Sequence, residues 1–124
     1  MSSEHVQIGN LINQYYEGLF TCDVPLLQSV FHPKAQYYTR KNDDLLHYDM
    51  DEYFDVIRKR TPPSKQGEQR YLSVGSIDIT GADTAMVKLN CHMMNTDYTD
   101  YLSLIRINER WQIVAKTFHA TPIE

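Results

Sequence analysis

The sequence predicts an α+β fold in which N-terminal helices cover one face of a strongly curved antiparallel sheet. From about Glu4 to Phe20, apolar residues recur at spacings of three and four, as in an amphipathic helix. From Gln69 onwards, four long segments rich in β-branched, Leu and Tyr residues are separated by short polar turns. Because the helices precede this run of strands, they are expected on one side of a single sheet, in one domain spanning residues 1–124.

Two further helices and two short strands are expected between these regions. Phe31-His32-Pro33 ends a short second helix because the residue before proline avoids helical geometry. Short strands are predicted over Ala35–Arg40 and Leu45–Tyr48, and a third helix runs on to Thr61-Pro62-Pro63. The expected helix caps are Ser2 or Ser3, Asp23 and Asp49, the last with Glu52 in a capping box.

The long strands are expected to form a meander that bends. Gly75 marks a bulge or bend in the first of them, and a bent sheet wraps into a cone that leaves room for a cavity. A turn at Thr96-Asp97 would place Met93 opposite Asp100, so that Cys91 and Met93 share the apolar face with Asp100.

The last two strands are expected to pair around a two-residue turn at Asn108-Glu109. A regular register then places Asp100, Thr117, Tyr98 and His119 side by side at one end of the apolar face. A carboxylate and an imidazole at the end of an apolar face indicate a polar spot inside a cavity.

Asp100 is the sharpest candidate for chemistry. An Asp in an apolar pocket can act as a general base, with His119 orienting it, relaying its proton or binding a substrate carbonyl. The structural alternative pairs Asp100 with His119, Lys116 or a backbone donor, and leaves His119 solvated. For His32 the alternative is a turn-locking role, and for the tyrosines a place in the core. The expected ligand-binding residues are Tyr15, Tyr16, His32, Cys91, Met93, Tyr98, Trp111 and Thr117.

Composition excludes several classes of function. A net charge of −4 gives no reason to expect nucleic acid or an anionic membrane as a partner. The chain has no membrane-length apolar run and no signal-peptide pattern, and its two cysteines form no CxxC pair, so the cytoplasm is expected. The histidines lack ligand spacing and no nucleotide-binding motif is present, so neither a metal nor a cofactor is expected.

Six segments together resemble the nuclear transport factor 2-like superfamily, and within it the lumazine-binding family. These segments are Tyr16-Glu17-Gly18-Leu19, Asp23, Phe31-His32-Pro33-Lys34-Ala35, Thr99-Asp100-Tyr101-Leu102-Ser103-Leu104, Arg110-Trp111-Gln112-Ile113-Val114 and Lys116-Thr117-Phe118-His119-Ala120. The resemblance implies a cone-shaped α+β barrel that is commonly a homodimer through its sheet. It also implies functions that range from ketosteroid isomerases, dehydratases and polyketide cyclases to non-catalytic binding proteins and adaptors.

Three functions remain open at this point. The first is binding of a flat oxygenated or heterocyclic ligand, lumazine-like by resemblance, with Asp100 and His119 as polar anchors. The second is a cofactor-independent isomerase, dehydratase or cyclase with Asp100 as general base. The third is a dimeric adaptor with a vestigial cavity. Self-association is expected through the outer sheet face, which carries Tyr101, Ser103, Ile105, Gln112, Val114 and Phe118.

Overall fold

A computed structural model describes residues 3–123 and shows three α-helices packed on a curved six-stranded sheet. The helices are α1 (Glu4–Thr21), α2 (Val24–Val30) and α3 (Met50–Arg58), followed by a short 3₁₀ turn at Pro63–Lys65. The strands are β1 (Phe31–Lys41), β2 (Asp44–Asp49), β3 (Leu72–Thr80), β4 (Thr84–Met93), β5 (Thr96–Ile107) and β6 (Arg110–Pro122). This is the predicted cone-shaped α+β architecture. None of the helices in the described part of the chain is long and apolar enough to cross a membrane.

The helix starts follow the capping pattern of the sequence. The Ser3 side chain accepts a hydrogen bond from the Val6 N–H, and Asp23 accepts one from Leu26. Asp49 and Glu52 complete the expected capping box at the start of α3. Ser2, the other cap considered for α1, lies outside the described residues.

The strand order is β2-β1-β6-β5-β4-β3, so the strand nearest the N-terminus lies beside the last one. β1 pairs with β6 in parallel, whereas every other neighbouring pair is antiparallel. The apolar side chains of β4 and β5 meet the helices on the inner face of this sheet and form the core. Among the fully buried ones are Val87, Leu89, Leu102 and Leu104.

The β4–β5 turn lies two residues earlier than expected. Met94 and Asn95 occupy it with positive φ, so Met93 pairs with Thr96, and Asp100 lies opposite Leu89. The residue opposite Asp100 thereby changes by four positions, from Met93 to Leu89, and an even shift preserves which side chains share a face. Cys91 and Met93 therefore lie on the Asp100 face, as predicted.

The register of the β5–β6 hairpin departs from the prediction by one residue. The expected pairing holds from the turn as far as Leu104 and Ile113, but Ser103 then pairs with Ala115, which leaves Val114 as an extra residue in β6. A shift of one residue exchanges the two faces of every later position in β6. Lys116 and Phe118 therefore lie on the inner face beside Asp100, whereas the predicted residues Thr117 and His119 lie on the outer face.

A second bulge lies in β3, where the register with β4 shifts between Val74 and Ser76, at the predicted position Gly75. A Cβ at Gly75 would meet the Lys88 carbonyl oxygen at 3.3 Å, so the neighbouring backbone also favours glycine here.

Candidate functional site

The candidate site is centred on Asp100, which is 1% exposed at the middle of the inner sheet face. The Tyr15 hydroxyl, from the middle of α1, donates a 2.6 Å hydrogen bond to Asp100 Oδ2. Lys116 Nζ lies 3.9 Å from the same oxygen and donates a hydrogen bond to the Tyr53 hydroxyl at 3.3 Å. Asp100 Oδ1 is buried and has no hydrogen-bond partner among residues 3–123. The site therefore combines a carboxylate that keeps one acceptor unused, a cation and two phenols.

The Lys116 ammonium is surrounded by aromatic rings. Its Nζ lies 5.1–5.6 Å from the ring centroids of Tyr15, Tyr37, Tyr53 and Phe118. Cation–π attraction and the Asp100 charge offset the loss of water around a group that is 6% exposed. Burial alone lowers the pKa of Lys116, but Tyr53, Asp100 and Tyr37 outweigh it and raise that pKa above its usual value. Lys116 is therefore an ammonium at neutral pH.

Raised pKa values keep three groups near Asp100 neutral, namely Cys91, Tyr15 and Tyr37. Burial, followed by the Asp100 charge, raises the pKa of the Cys91 thiol to about 12. The same two causes raise the pKa of Tyr15 well above its usual value, so Tyr15 remains a hydrogen-bond donor. Burial also raises the pKa of Tyr37 to about 12. Cys91 is consequently a wall of the site and not a thiolate nucleophile.

A cavity of about 130 Å³ extends from Asp100 towards the surface. Its inner end is buried, whereas Arg60 and Met94 at the other end are half-buried and Ala120 is exposed, so the cavity opens there. The lining residues are Leu19, Tyr37, Tyr53, Arg60, Cys91, Met93, Met94, Tyr98, Asp100, Lys116, Phe118 and Ala120.

A family model described as "Putative lumazine-binding" matches residues 3–119 of this chain. The chain belongs to this family. A curated relative, "Aldolase FrzH" from Cladobotryum sp, is 32% identical over 94 residues, which is 74% of this chain and 71% of that protein.

Solved structures similar to this lumazine-binding family member share its fold. A nuclear transport factor 2-like protein of unknown function from Shewanella baltica OS155 superposes with a TM-score of 0.86 at 23% identity, over 96% of this chain and 94% of that one. One from Silicibacter pomeroyi DSS-3 has a TM-score of 0.84 at 21% identity, over 98% and 100% of the two chains. A ketosteroid isomerase-like protein from Erwinia carotovora atroseptica SCRI1043 has a TM-score of 0.76 at 14% identity, over 98% and 100%. The chain thus has the nuclear transport factor 2-like fold.

In this family member, some of the residues expected to bind a ligand do surround Asp100. Cys91, Met93 and Tyr98 line the cavity, and Tyr15 contacts Asp100 directly. Tyr16 is also buried but points elsewhere, where its hydroxyl accepts a hydrogen bond from the Tyr71 N–H. Of the two consecutive tyrosines, Tyr15 is therefore the one that serves the site.

Four expected site residues lie away from Asp100. His119 and Thr117 are exposed on the outer sheet face because of the bulge at Val114, and His119 contacts Thr121 at 3.1 Å. Trp111 lies near the β5–β6 turn, where its indole N–H donates to Glu4. His32 Nδ1 accepts a hydrogen bond from the Lys34 N–H, which is the turn-locking alternative. The expected placement of His119 and Thr117 beside Asp100 is wrong.

Sequence reasoning missed several residues of the site, among them Tyr37, Tyr53 and Arg60. Lys116 entered it only as a structural partner of Asp100. The available signal was Phe118, because the regular register put this large apolar side chain, together with Lys116, on the exposed face. A one-residue bulge moves both side chains inward and resolves that anomaly.

Proposed function

We propose that this protein binds a small carbonyl compound in the Asp100 cavity and removes a proton next to the carbonyl without a cofactor. One observation carries the proposal: a buried carboxylate beside the ammonium of Lys116, with one oxygen held by Tyr15 and the other without a partner in the part of the chain that the structure describes. An unsatisfied buried acceptor is costly, and a site that uses it is one explanation for its presence. The acid–base set expected from the sequence, Asp100 with His119, has no assured second hydrogen-bond donor. Lys116, which lies beside Asp100, can serve as that donor.

The chemistry follows from the charges. The Asp100 carboxylate accepts a proton from the carbon next to the carbonyl, and the C–H electron pair forms the carbon–carbon double bond of an enolate. The negative charge that develops on the carbonyl oxygen is stabilised by the Lys116 ammonium, in a site shielded from water. Where a second double bond is conjugated with the enolate, the resulting dienolate takes the proton back from Asp100 at its far carbon, as an isomerase requires. Alternatively, the enolate carbon attacks a second carbonyl, and the alkoxide formed there takes the proton from Asp100, as an aldolase requires.

Two comparisons support the choice of this reaction class. The curated relative is named an aldolase, and one structural neighbour is named ketosteroid isomerase-like. Both names refer to chemistry in which a carbon next to a carbonyl loses a proton. They support the reaction class and leave the substrate to be identified by experiment.

The proposal is tested by hydrogen–deuterium exchange at the α-carbon of small ketones in D₂O, followed by NMR with cyclohexanone and pyruvate as probes. We expect the protein to accelerate exchange, and Asp100→Asn to lower the rate by about 10²-fold or more, the usual contribution of a general base. The matched control is His119→Gln, which changes the other predicted catalytic residue on the exposed face and should leave the rate unchanged. Exchange that survives Asp100→Asn would overturn the assignment.

A binding role without catalysis is the second candidate. It is favoured by the contact between Asp100 and Lys116, which is the structural alternative considered for Asp100. The family description as lumazine-binding also favours it. The cavity of about 130 Å³ is small for this purpose, because pockets for drug-sized ligands usually measure about 300–1,000 Å³. A flat heterocycle would extend through the open end past Ala120. Tight binding of lumazine with no exchange of any ketone would favour this role.

We also propose that the protein forms a homodimer through the outer sheet face, meaning the exposed side of β4, β5 and β6. Met86 and Tyr101 are 44% and 42% exposed there, beside Ser103 and Thr117. Exposed apolar side chains on a sheet face suit a self-complementary contact. Phe118, expected on this face, belongs to the cavity instead.

A further inference from the structure

The open end of the cavity is lined by an arginine that the reaction proposed above does not use. Arg60 follows the C-terminal end of α3, and its backbone N–H donates to the Ile57 carbonyl at 3.1 Å, which fixes its position. The residue is half-buried, and its side chain lines the same cavity as Asp100 and Lys116. Arg60 is therefore a partly exposed cation in the lining of the buried site.

Within the described residues, Arg60 lacks the carboxylate partner that four of the six arginines of this protein have. Arg40, Arg58, Arg70 and Arg106 each lie within ion-pair distance of a carboxylate. Within residues 3–123, no carboxylate lies that close to Arg60, and its guanidinium makes no hydrogen bond to the protein. A cation near a helix C-terminus interacts favourably with the helix dipole, but that role does not require it to line a cavity.

The charge balance of the cavity points in the same direction. Its lining contains two cations, Arg60 and Lys116, and one anion, Asp100, in a protein whose net charge is −4. Burial raises the pKa of Tyr98, and the charge of Arg60 is the largest influence against that rise. The Arg60 charge thus acts within the cavity, where it favours an anionic ligand group over a neutral one.

We propose that the substrate is a small oxo acid whose carboxylate binds Arg60 at the open end while its carbonyl faces Lys116. This inference rests on the proposed function and adds the class of substrate to it. The volume agrees, because about 130 Å³ is close to the roughly 150 Å³ of an engineered cavity in another protein that admits benzene. Arginine suits this role because its planar guanidinium binds a carboxylate through two parallel hydrogen bonds.

The test compares two ligands of the same shape that differ in charge, 4-oxopentanoate and 4-oxopentanamide, by calorimetric titration. The wild-type protein should bind the carboxylate at least about tenfold more tightly, as expected for a charge-assisted contact. Arg60→Gln should abolish this preference and leave the affinity for the amide unchanged. Arg58→Gln is the matched control, because Arg58 pairs with Asp55 on the surface, and it should retain the preference.

Other outcomes separate this inference from the proposed reaction. Asp100→Asn should keep the preference for the carboxylate, because Arg60 is intact, while losing the exchange activity. If the preference is present but no ketone exchanges, the anion site stands and the proposed reaction fails. Equal affinity of the wild-type protein for both compounds, a preference that survives Arg60→Gln, or no binding of either compound would overturn the inference. Thermal unfolding of Arg60→Gln at the wild-type temperature establishes that the variant is folded.

Discussion

At the residue scale, Lys116 shows how neighbouring groups stabilise a buried cation. The Lys116 ammonium lies 3.9 Å from the Asp100 carboxylate and donates a hydrogen bond to the Tyr53 hydroxyl, and aromatic rings replace the remaining water. Because the pKa of Lys116 is raised, the amine stays protonated and is a poor nucleophile at neutral pH. The environment therefore favours an electrostatic role at a developing oxyanion over formation of a Schiff base.

Cys91 provides a prediction about pH at the same scale. Its pKa is raised to about 12 in the folded protein, whereas a thiol in the unfolded chain ionises near pH 8.5. The stabilisation from a neutral buried thiol is therefore complete below about pH 8.5 and is lost as the pH rises towards about 12. Compared with Cys91→Ala, the wild-type free energy of unfolding should fall more steeply between about pH 8.5 and 10, by up to about 1.4 kcal/mol per pH unit.

Urea unfolding of both proteins at several pH values in this range measures the difference in slope. Cys22→Ala is the comparison variant. The Cys22 thiol is half-buried, and burial also raises its pKa, but the shift is smaller than that of Cys91. Parallel pH profiles for the wild type and Cys91→Ala would show that the thiol ionises in the folded protein as easily as in water.

The site residues could be predicted only as far as the strand register was regular. Asp100, Cys91 and Met93 are correctly predicted on one face because the cross-strand pairing differs from the prediction by an even number of residues. The bulge at Val114 moves Lys116 from the outer to the inner face of the sheet, and valine gives no signal of a turn or bulge in the sequence. Arg60 was missed because its position depends on how α3 packs across the sheet, which local patterns do not encode.

At the scale of single elements, α1 shows how close packing depends on one glycine. A Cβ added at Gly18 would lie 2.6 Å from Leu27 Cδ2, and Leu27 is fully buried at the contact between α1 and α2. Gly9, in the same helix, has no atom within 4 Å of such a Cβ. Replacement by alanine therefore meets a buried side chain at Gly18 and open space at Gly9.

Gly18→Ala should lower the free energy of unfolding by about 1–3 kcal/mol, because Leu27 has to leave its position in a packed core. Gly9→Ala should raise that free energy by about 0.5–1 kcal/mol, because alanine is the better helix former and meets no obstacle. Urea denaturation of the two variants measures both changes. Stabilisation by both substitutions would show that α2 can move away from α1 at little cost.

The elements themselves follow from local chemistry. Asp23 and Asp49 start helices as the capping rules predict, and Gly75 marks a bulge in β3. The β4–β5 turn lies two residues before the predicted Thr96-Asp97, because Asn95 and Asp97 both favour turns and do not mark one boundary. Its central residues Met94 and Asn95 both have positive φ, which asparagine tolerates better than most residues.

At the scale of the whole molecule, the sheet order places the first strand beside the last one. The parallel pairing of β1 with β6 brings Tyr37 beside Lys116, although nearly eighty residues separate them in sequence. The general architecture could be predicted from the order of helices and strands and from resemblance. The β1–β6 pairing could not, because it depends on contacts remote in sequence.

The proposed homodimer is tested at this scale. Tyr101→Asp should convert the protein from dimer to monomer, because it places a charge in the apolar patch of the outer sheet face. Leu45→Asp is the control, because Leu45 is 65% exposed on β2, away from that patch, and it should leave the dimer intact. Sedimentation equilibrium measures both, and a monomeric wild-type protein would refute the proposed contact.

The unpaired residue in β6 also bears on how relatives should be compared. Two homologues can align along this strand without a gap and still differ in where the extra residue sits. One of them would then present a lysine to the aspartate, and the other would present the side chain next to it, with nothing in the alignment to distinguish them. For proteins of this shape, equivalent positions are better matched by their partner across the ladder than by their column in an alignment.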